Sequence, residues 1–265
     1  MQRRQVFLDP KQYHILLEFL AGTEAHWQTH SMEEDYPGQE ASLKAWEVKR
    51  ARLDHLILGY TGGKAMPELA QELDALIASY EEHQRTLALC NEVPDIAPLN
   101  IEDYLDQYEE YVQVISLCIL LQRRDLLPRM VALQDRAGFH AEDTLIEDLL
   151  KPCLPGRADI DEWYHPVYTP LIRAIYADQA DEARELLVEY CDQWYEAFEQ
   201  APWHDSHLDG DEGSYFGYWA FEAAAVAYLY GLDDSAVKHM VFPREMLDYA
   251  RRFTPPPIPQ PLAQH

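Results

Sequence analysis

Positive charge is scarce in this sequence. Against 47 aspartates and glutamates the 265 residues hold 21 lysines and arginines, a formal net charge of -26. A surface of that sign repels nucleic acid, anionic lipid and acidic metabolites, which argues against direct nucleic-acid or membrane binding and favours a cationic partner, most plausibly another protein. Cysteine is also sparse: Cys90, Cys118, Cys153 and Cys191 form no C-x-x-C pair, which removes zinc-ribbon and thioredoxin-type readings and leaves buried thiols of a reducing compartment. Long apolar runs are missing, since the longest aliphatic stretch, "VISLCILL" at 114–121, is too short to span a bilayer. The opening "MQRRQVFLDPKQYH" has no apolar export region and no small-residue cleavage site, so a cytoplasmic location is expected. No segment alternates as a sheet strand would. "YTGGK" at 60–64 lacks the spacing of a phosphate-binding loop, and no G-x-S-x-G is present.

What is there is helical periodicity. Asp9 and Pro10 form a cap and first-turn pair ahead of Tyr13, Leu16, Leu17 and Leu20, predicting a first helix that ends near Gly22. A second helix is expected from about 38 to 58. A third opens at Pro67, its Leu69, Leu73, Leu76, Ile77 and Tyr80 repeating on one buried face. After the connector "CNEVPDIAPLN" a fourth, about 101–122, is capped by Asn100, begins wet with "EDYLDQYEEY" and ends dry. Shorter helices are expected around 125–137, 141–150 and 164–177, a long one at 180–200, and a last one led by Pro243. The fold class is therefore all-α, with antiparallel helix pairs stacked into a bundle of repeat-like character. The chain reads as two parts, an N-terminal helical part over 1–98 and a C-terminal helical domain over 99–253. A proline-rich tail, 254–265, is expected to be disordered.

From Tyr215 to Tyr230 the only charge is Glu222. Read as one helix, this stretch puts Glu222 on a stripe with Tyr215, Trp219, Val226 and Tyr230, pointing inward. An ionised carboxylate there requires partners or a raised pKa. Two roles are open: a general acid or base, or a structural glutamate tied to a tyrosine hydroxyl, an arginine or a loop N–H. The structural role is preferred, because no second catalytic group accompanies it.

The residues "YFGYWAFEAAAVAYLYGLDDS", followed by "FPREMLDYAR", resemble the C-terminal signature of the PoNi family. These are two-part all-helical immunity proteins that protect bacteria from polymorphic nuclease effectors delivered by type VI secretion. The matching positions are Gly217, Tyr218, Trp219, Glu222, Ala223, Ala224, Leu229, Asp233, Asp234 and Pro243. Two aromatics often precede that proline in the family; here Val241 and Phe242 stand there. The resemblance implies a non-enzymatic protein without cofactor that binds a cognate basic DNase toxin and blocks it by stoichiometric occlusion. That fits the charge, because a nuclease presents a cationic cleft to phosphates. The candidate contacts are exposed acids: Asp103, Asp106, Glu109 and Glu110 at the wet start of the fourth helix, and Asp205, Asp209, Asp211 and Glu212 in the 202–213 loop. An acidic helical scaffold that recruits some other basic protein is the alternative.

Other motifs do not hold up. Asp205, His207, Asp209, Gly210 and Asp211 follow an EF-hand frame until its twelfth position, which is Phe216 instead of glutamate. His204 and His207 lack a third zinc ligand nearby, and His26 and His30 lack the glutamate of H-E-x-x-H. No metal site is expected. Trp163, Trp194 and Trp203 are read as core residues, with an interface anchor as the other option.

Overall fold

The computed structural model describes residues 3–33, 36, 38–210 and 213–257. These residues form helices, turns and extended segments without a sheet, and they divide into two compact units. The first comprises Met1–Leu99, Pro128–Gly138 and Pro202–Gly217, and the second Asn100–Leu127, Phe139–Ala201 and Tyr218–His265. Residues 258–265 of the proline-rich tail lie outside the described residues.

The first unit is built on α1 (Pro10–Thr29), α2 (Gln39–Thr61) and α3 (Met66–Asn91). Asp9 caps α1 by accepting the Lys11 and Gln12 N–H groups at 2.8 and 3.1 Å, which satisfies donors that the first helical turn leaves open. The helix does not stop at Gly22. It runs seven residues further, to Thr29, because a glycine in a helix interior costs only about 1 kcal/mol. Leu20 is its one buried residue. The stripe expected on α3 is buried throughout, and it packs with Leu53, Leu56, Ile57 and Tyr60 of α2. Each fully buried leucine or isoleucine contributes about 1.5–3 kcal/mol. Arg129 ties the returning segment to α3 through Asp74 and Glu81, both at 2.7 Å.

The second unit centres on α4 (Leu105–Leu120) and α9 (Phe221–Tyr230), which pack on one another. From Tyr108 to its end α4 is almost wholly enclosed, and α9 is buried from Phe221 to Leu229. The alanines at 223, 224, 225 and 227, all buried, let neighbouring helices come close. Around them lie α6 (Thr144–Leu150), the pair α7 (Thr169–Tyr176) and α8 (Ala180–Ala197), and α10 (Arg244–Ala250). The segment Pro128–Gly138 of the first unit holds most of a further helix, α5 (Leu127–Gln134), which is followed by a widened turn where Gly138 takes φ 103°. Cys118 on α4 and Cys191 on α8 are fully buried, and loss of solvation pushes the Cys118 thiol up to about 12 and the Cys191 thiol further.

The stretch around Glu222 departs from the sequence expectation. Residues 215–220 are not helical, and α9 starts at Phe221. Gly217 has φ 126°, a conformation that a side-chain-bearing residue strains to reach. The Ala220 N–H is taken by the Val241 carbonyl at 2.9 Å, so that bond replaces a helical one. The supposed stripe through Tyr215, Trp219 and Glu222 therefore does not exist, although all three are buried.

Candidate functional site

Glu222 sits in the first turn of α9 with no exposed surface. Its Oε1 accepts from the Tyr190 hydroxyl at 2.6 Å and from the Trp194 indole N–H at 3.1 Å, both on α8. No arginine or lysine stands among these partners. Burial raises its pKa from 4.5 to about 7, against which the Tyr190, backbone and Trp194 hydrogen bonds pull only partly. Glu222 Oε2 and the Tyr168 hydroxyl are buried and make no hydrogen bond among the described residues. Rings continue the cluster: Tyr190 lies 5.9 Å from Tyr168, and Tyr168 4.8 Å from Tyr108. Tyr108 donates to Asp143 Oδ1 at 2.7 Å. Two carboxylates are thus joined by three tyrosines in tilted ring contact, closed to solvent. Such an arrangement ties α8 to α9 through Glu222 and α4 to α6 through Asp143, while Glu222 Oε2 and the Tyr168 hydroxyl stay without a hydrogen bond among the described residues.

The sequence reading overlooked a second set of buried acids, on α6. Asp143 caps that helix through the Ile146 N–H at 3.0 Å and also accepts from the Tyr164 N–H at 3.0 Å. Glu147, also enclosed, takes the Arg157 Nε at 2.9 Å together with the Ala141 and Ala158 N–H groups at 3.0 and 2.9 Å. Asp148 is met by Lys151 and Tyr176, each at 2.8 Å. The signal was available: in "DTLIEDLL" four apolar residues surround the acids, as around Glu222, and acids there need partners.

Other residues of the family resemblance also make contacts within the fold. Asp234, buried, takes Arg244 and Arg251 at 2.6 Å each, fastening α10 to the turn before it. Arg244 also donates to the Val237 carbonyl at 2.6 Å. Asp233 accepts from the Ser235 N–H at 2.9 Å and from Arg184 at 3.2 Å. Pro243 precedes the first residue of α10. Tyr218 packs on Tyr195 with ring centres 5.0 Å apart, and Trp219 on Phe221 at 6.3 Å.

The candidate contact acids fare unequally. Asp103 is exposed, on a turn where it exchanges hydrogen bonds with Asn100 at 3.0 and 3.2 Å, and α4 begins only after it, at Leu105. Asp106 and Glu110 are half-buried. Glu109 is corrected: it is 3% exposed and accepts from Gln113 at 2.6 Å, because its side of α4 faces the interior. It offers no docking surface. Asp205 and Asp209 are exposed, on either side of the short turn Ser206–Leu208, with Leu208 itself 68% exposed. Asp211 and Glu212 lie outside the described residues. One acidic face was missed. Glu182, Glu185, Glu189, Asp192, Glu196 and Glu199 are all exposed along and just beyond α8. Their alternating three- and four-residue spacing makes one continuous row on the helix.

Trp194 is buried and Trp163 and Trp203 are half-buried. Among the described residues no group of three or more histidine, cysteine, aspartate or glutamate side chains gathers as metal ligands do. Nor is any helix among them long and apolar enough to cross a membrane.

Comparison with known proteins gives a fold and a family likeness over part of the chain. The crystal structure of protein PA2201 from Pseudomonas aeruginosa is similar, with a TM-score of 0.70 over 95% of this chain and 92% of that one. At 19% identity the likeness establishes the all-helical fold. No curated protein matches the chain. Residues 141–246 match the family model described as PoNe immunity proteins (PoNi), C-terminal. That span holds the Glu222 cluster apart from Tyr108, the Glu147–Arg157 pair, the acidic row of α8 and the Asp234–Arg244 clamp. Over residues 141–246, then, this chain is similar to the C-terminal domain of the PoNe immunity proteins (PoNi).

Proposed function

We propose that this protein is a cytoplasmic immunity protein that binds a cognate nuclease toxin of the PoNe type and silences it by one-to-one occlusion. The match of residues 141–246 to the PoNi C-terminal domain carries the reading. The charge of -26 supports it: a nuclease that grips phosphates exposes a cationic cleft, and carboxylates compete for that cleft. The acid row on α8, with Asp103 in the same unit and Asp205 and Asp209 in the other, supplies exposed carboxylates for the purpose, and Asp106 and Glu110 are half-buried. The toxin is taken to be a DNase delivered by type VI secretion, and inhibition needs no turnover and no cofactor.

The test is direct. The purified protein is mixed with the nuclease encoded beside its gene at rising molar ratio, and cleavage of plasmid DNA is followed. Loss of cleavage at a ratio near one is expected, with affinity falling as salt rises. Undiminished cleavage at molar excess refutes the proposal. Full inhibition with salt-independent affinity would keep the immunity function and discard the electrostatic mode of docking.

A further inference from the structure

A groove of about 600 Å³ opens between α1 and α2 in the first unit. Its walls are aromatic: Phe19, 70% exposed at the lip, and the half-buried Trp27 and Phe216. Its rim is acidic. Glu18 and Glu47 line it, and no ion pair is recorded for either among the described residues, whereas the rim's arginine, Arg50, is already engaged by Asp54 at 3.7 Å and by the Trp46 ring at 5.5 Å.

Gly22 explains why the groove is open. It lies inside α1, faces the groove, and a Cβ built on it meets nothing within 4 Å. Neither a left-handed backbone nor a close internal neighbour calls for glycine there, and helix propensity disfavours it. What its missing side chain leaves is room.

We propose that this groove seats a basic amphipathic helix of the toxin. The apolar face of that helix lies on Phe19, Trp27 and Phe216, and its lysines or arginines reach Glu18 and Glu47. A second copy of this chain, carrying the same charge of -26, is repelled from such a rim. The inference takes the partner's identity from the immunity reading above.

The experiment uses the full chain and a catalytically inactivated form of the neighbouring nuclease as probe. Wild type, Gly22→Phe and the double variant E18K/E47K are compared by isothermal titration calorimetry and thermal melting. Gly22→Phe sets its Cβ in open space and turns a ring toward the groove, so its melting temperature is expected to hold or rise while Kd increases at least tenfold. E18K/E47K weakens binding by a similar factor, most at low salt. If both variants bind as wild type does, the groove is not the seat, and the immunity reading stands on its own assay. If wild type itself neither binds nor inhibits the nuclease, that reading fails and takes this proposal with it. Dimers in light scattering that Gly22→Phe abolishes would reassign the groove to a second copy of the chain.

Discussion

Replacing Glu222 with glutamine isolates the charge of the buried cluster from its geometry. Glutamine keeps an acceptor for Tyr190 and Trp194 and removes the ionisation, with an amide N–H2 in place of the unbonded Oε2. The unfolded chain releases the Glu222 proton near 4.5, while the folded chain holds it until about 7. Between those values the native state binds more protons than the unfolded state, so each rise in pH costs stability. A pKa moved from 4.5 to about 7 corresponds to roughly 3 kcal/mol, present as stabilisation below pH 4.5 and lost by about pH 8. The group has no exposed surface, so solvent screening does not reduce the figure. Had an arginine held the carboxylate, Glu222→Gln would be destabilising at neutral pH; with only neutral donors the sign reverses as the solution becomes alkaline. Urea unfolding of both proteins, followed by tryptophan fluorescence at about pH 5 and pH 8, gives the comparison. The variant should gain roughly 2.5 kcal/mol on wild type between the two conditions, with other titrating groups cancelling in the double difference. Stability curves that stay parallel across that range would refute the assignment of a raised pKa to Glu222.

Arg157→Ala leaves Glu147 buried without its cation and should cost about 3–5 kcal/mol, read as a lower urea midpoint for the C-terminal unit; a loss below about 1 kcal/mol would show that backbone donors alone satisfy that carboxylate. Neutralising Glu185, Glu189, Asp192 and Glu196 on α8 removes like-charge neighbours, each i,i+4 pair costing roughly 0.2–0.5 kcal/mol, so the melting temperature should hold or rise. The same change should slow association with the nuclease in stopped flow, and an unaltered on-rate would exclude this face from steering.

How much of this was legible in the sequence depended on which force set each feature. The α3 face could be read because burial of Leu69, Leu73, Leu76, Ile77 and Tyr80 imposes a helical period on composition. Gly22 misled, since its propensity cost is small beside the hydrogen bonds that carry α1 on to Thr29. The start of α9 was misplaced because a backbone bond from Ala220 to Val241, distant in sequence, decides it. Burial of Glu222 was legible from its apolar surroundings, and the same reasoning applied to Asp143, Glu147 and Asp148 would have shown that the acids of the helix expected at 141–150 are buried. Glu109 could not be placed from charge alone, for it is the contact with Gln113 and the inward side of α4 that make its burial tolerable. The α8 row was visible as acids three and four apart, a pattern that needs helix phase as well as composition.

Cys118 and Cys191 turn the C-terminal unit into its own clock. Both thiols lie at zero exposure and hold their protons far above neutral pH, so iodoacetamide can mark them only when α4 or α8 comes away from its neighbours. Timed alkylation read by mass spectrometry therefore counts openings of the PoNi-type domain, and a seated toxin that clamps those helices would lengthen the interval between counts.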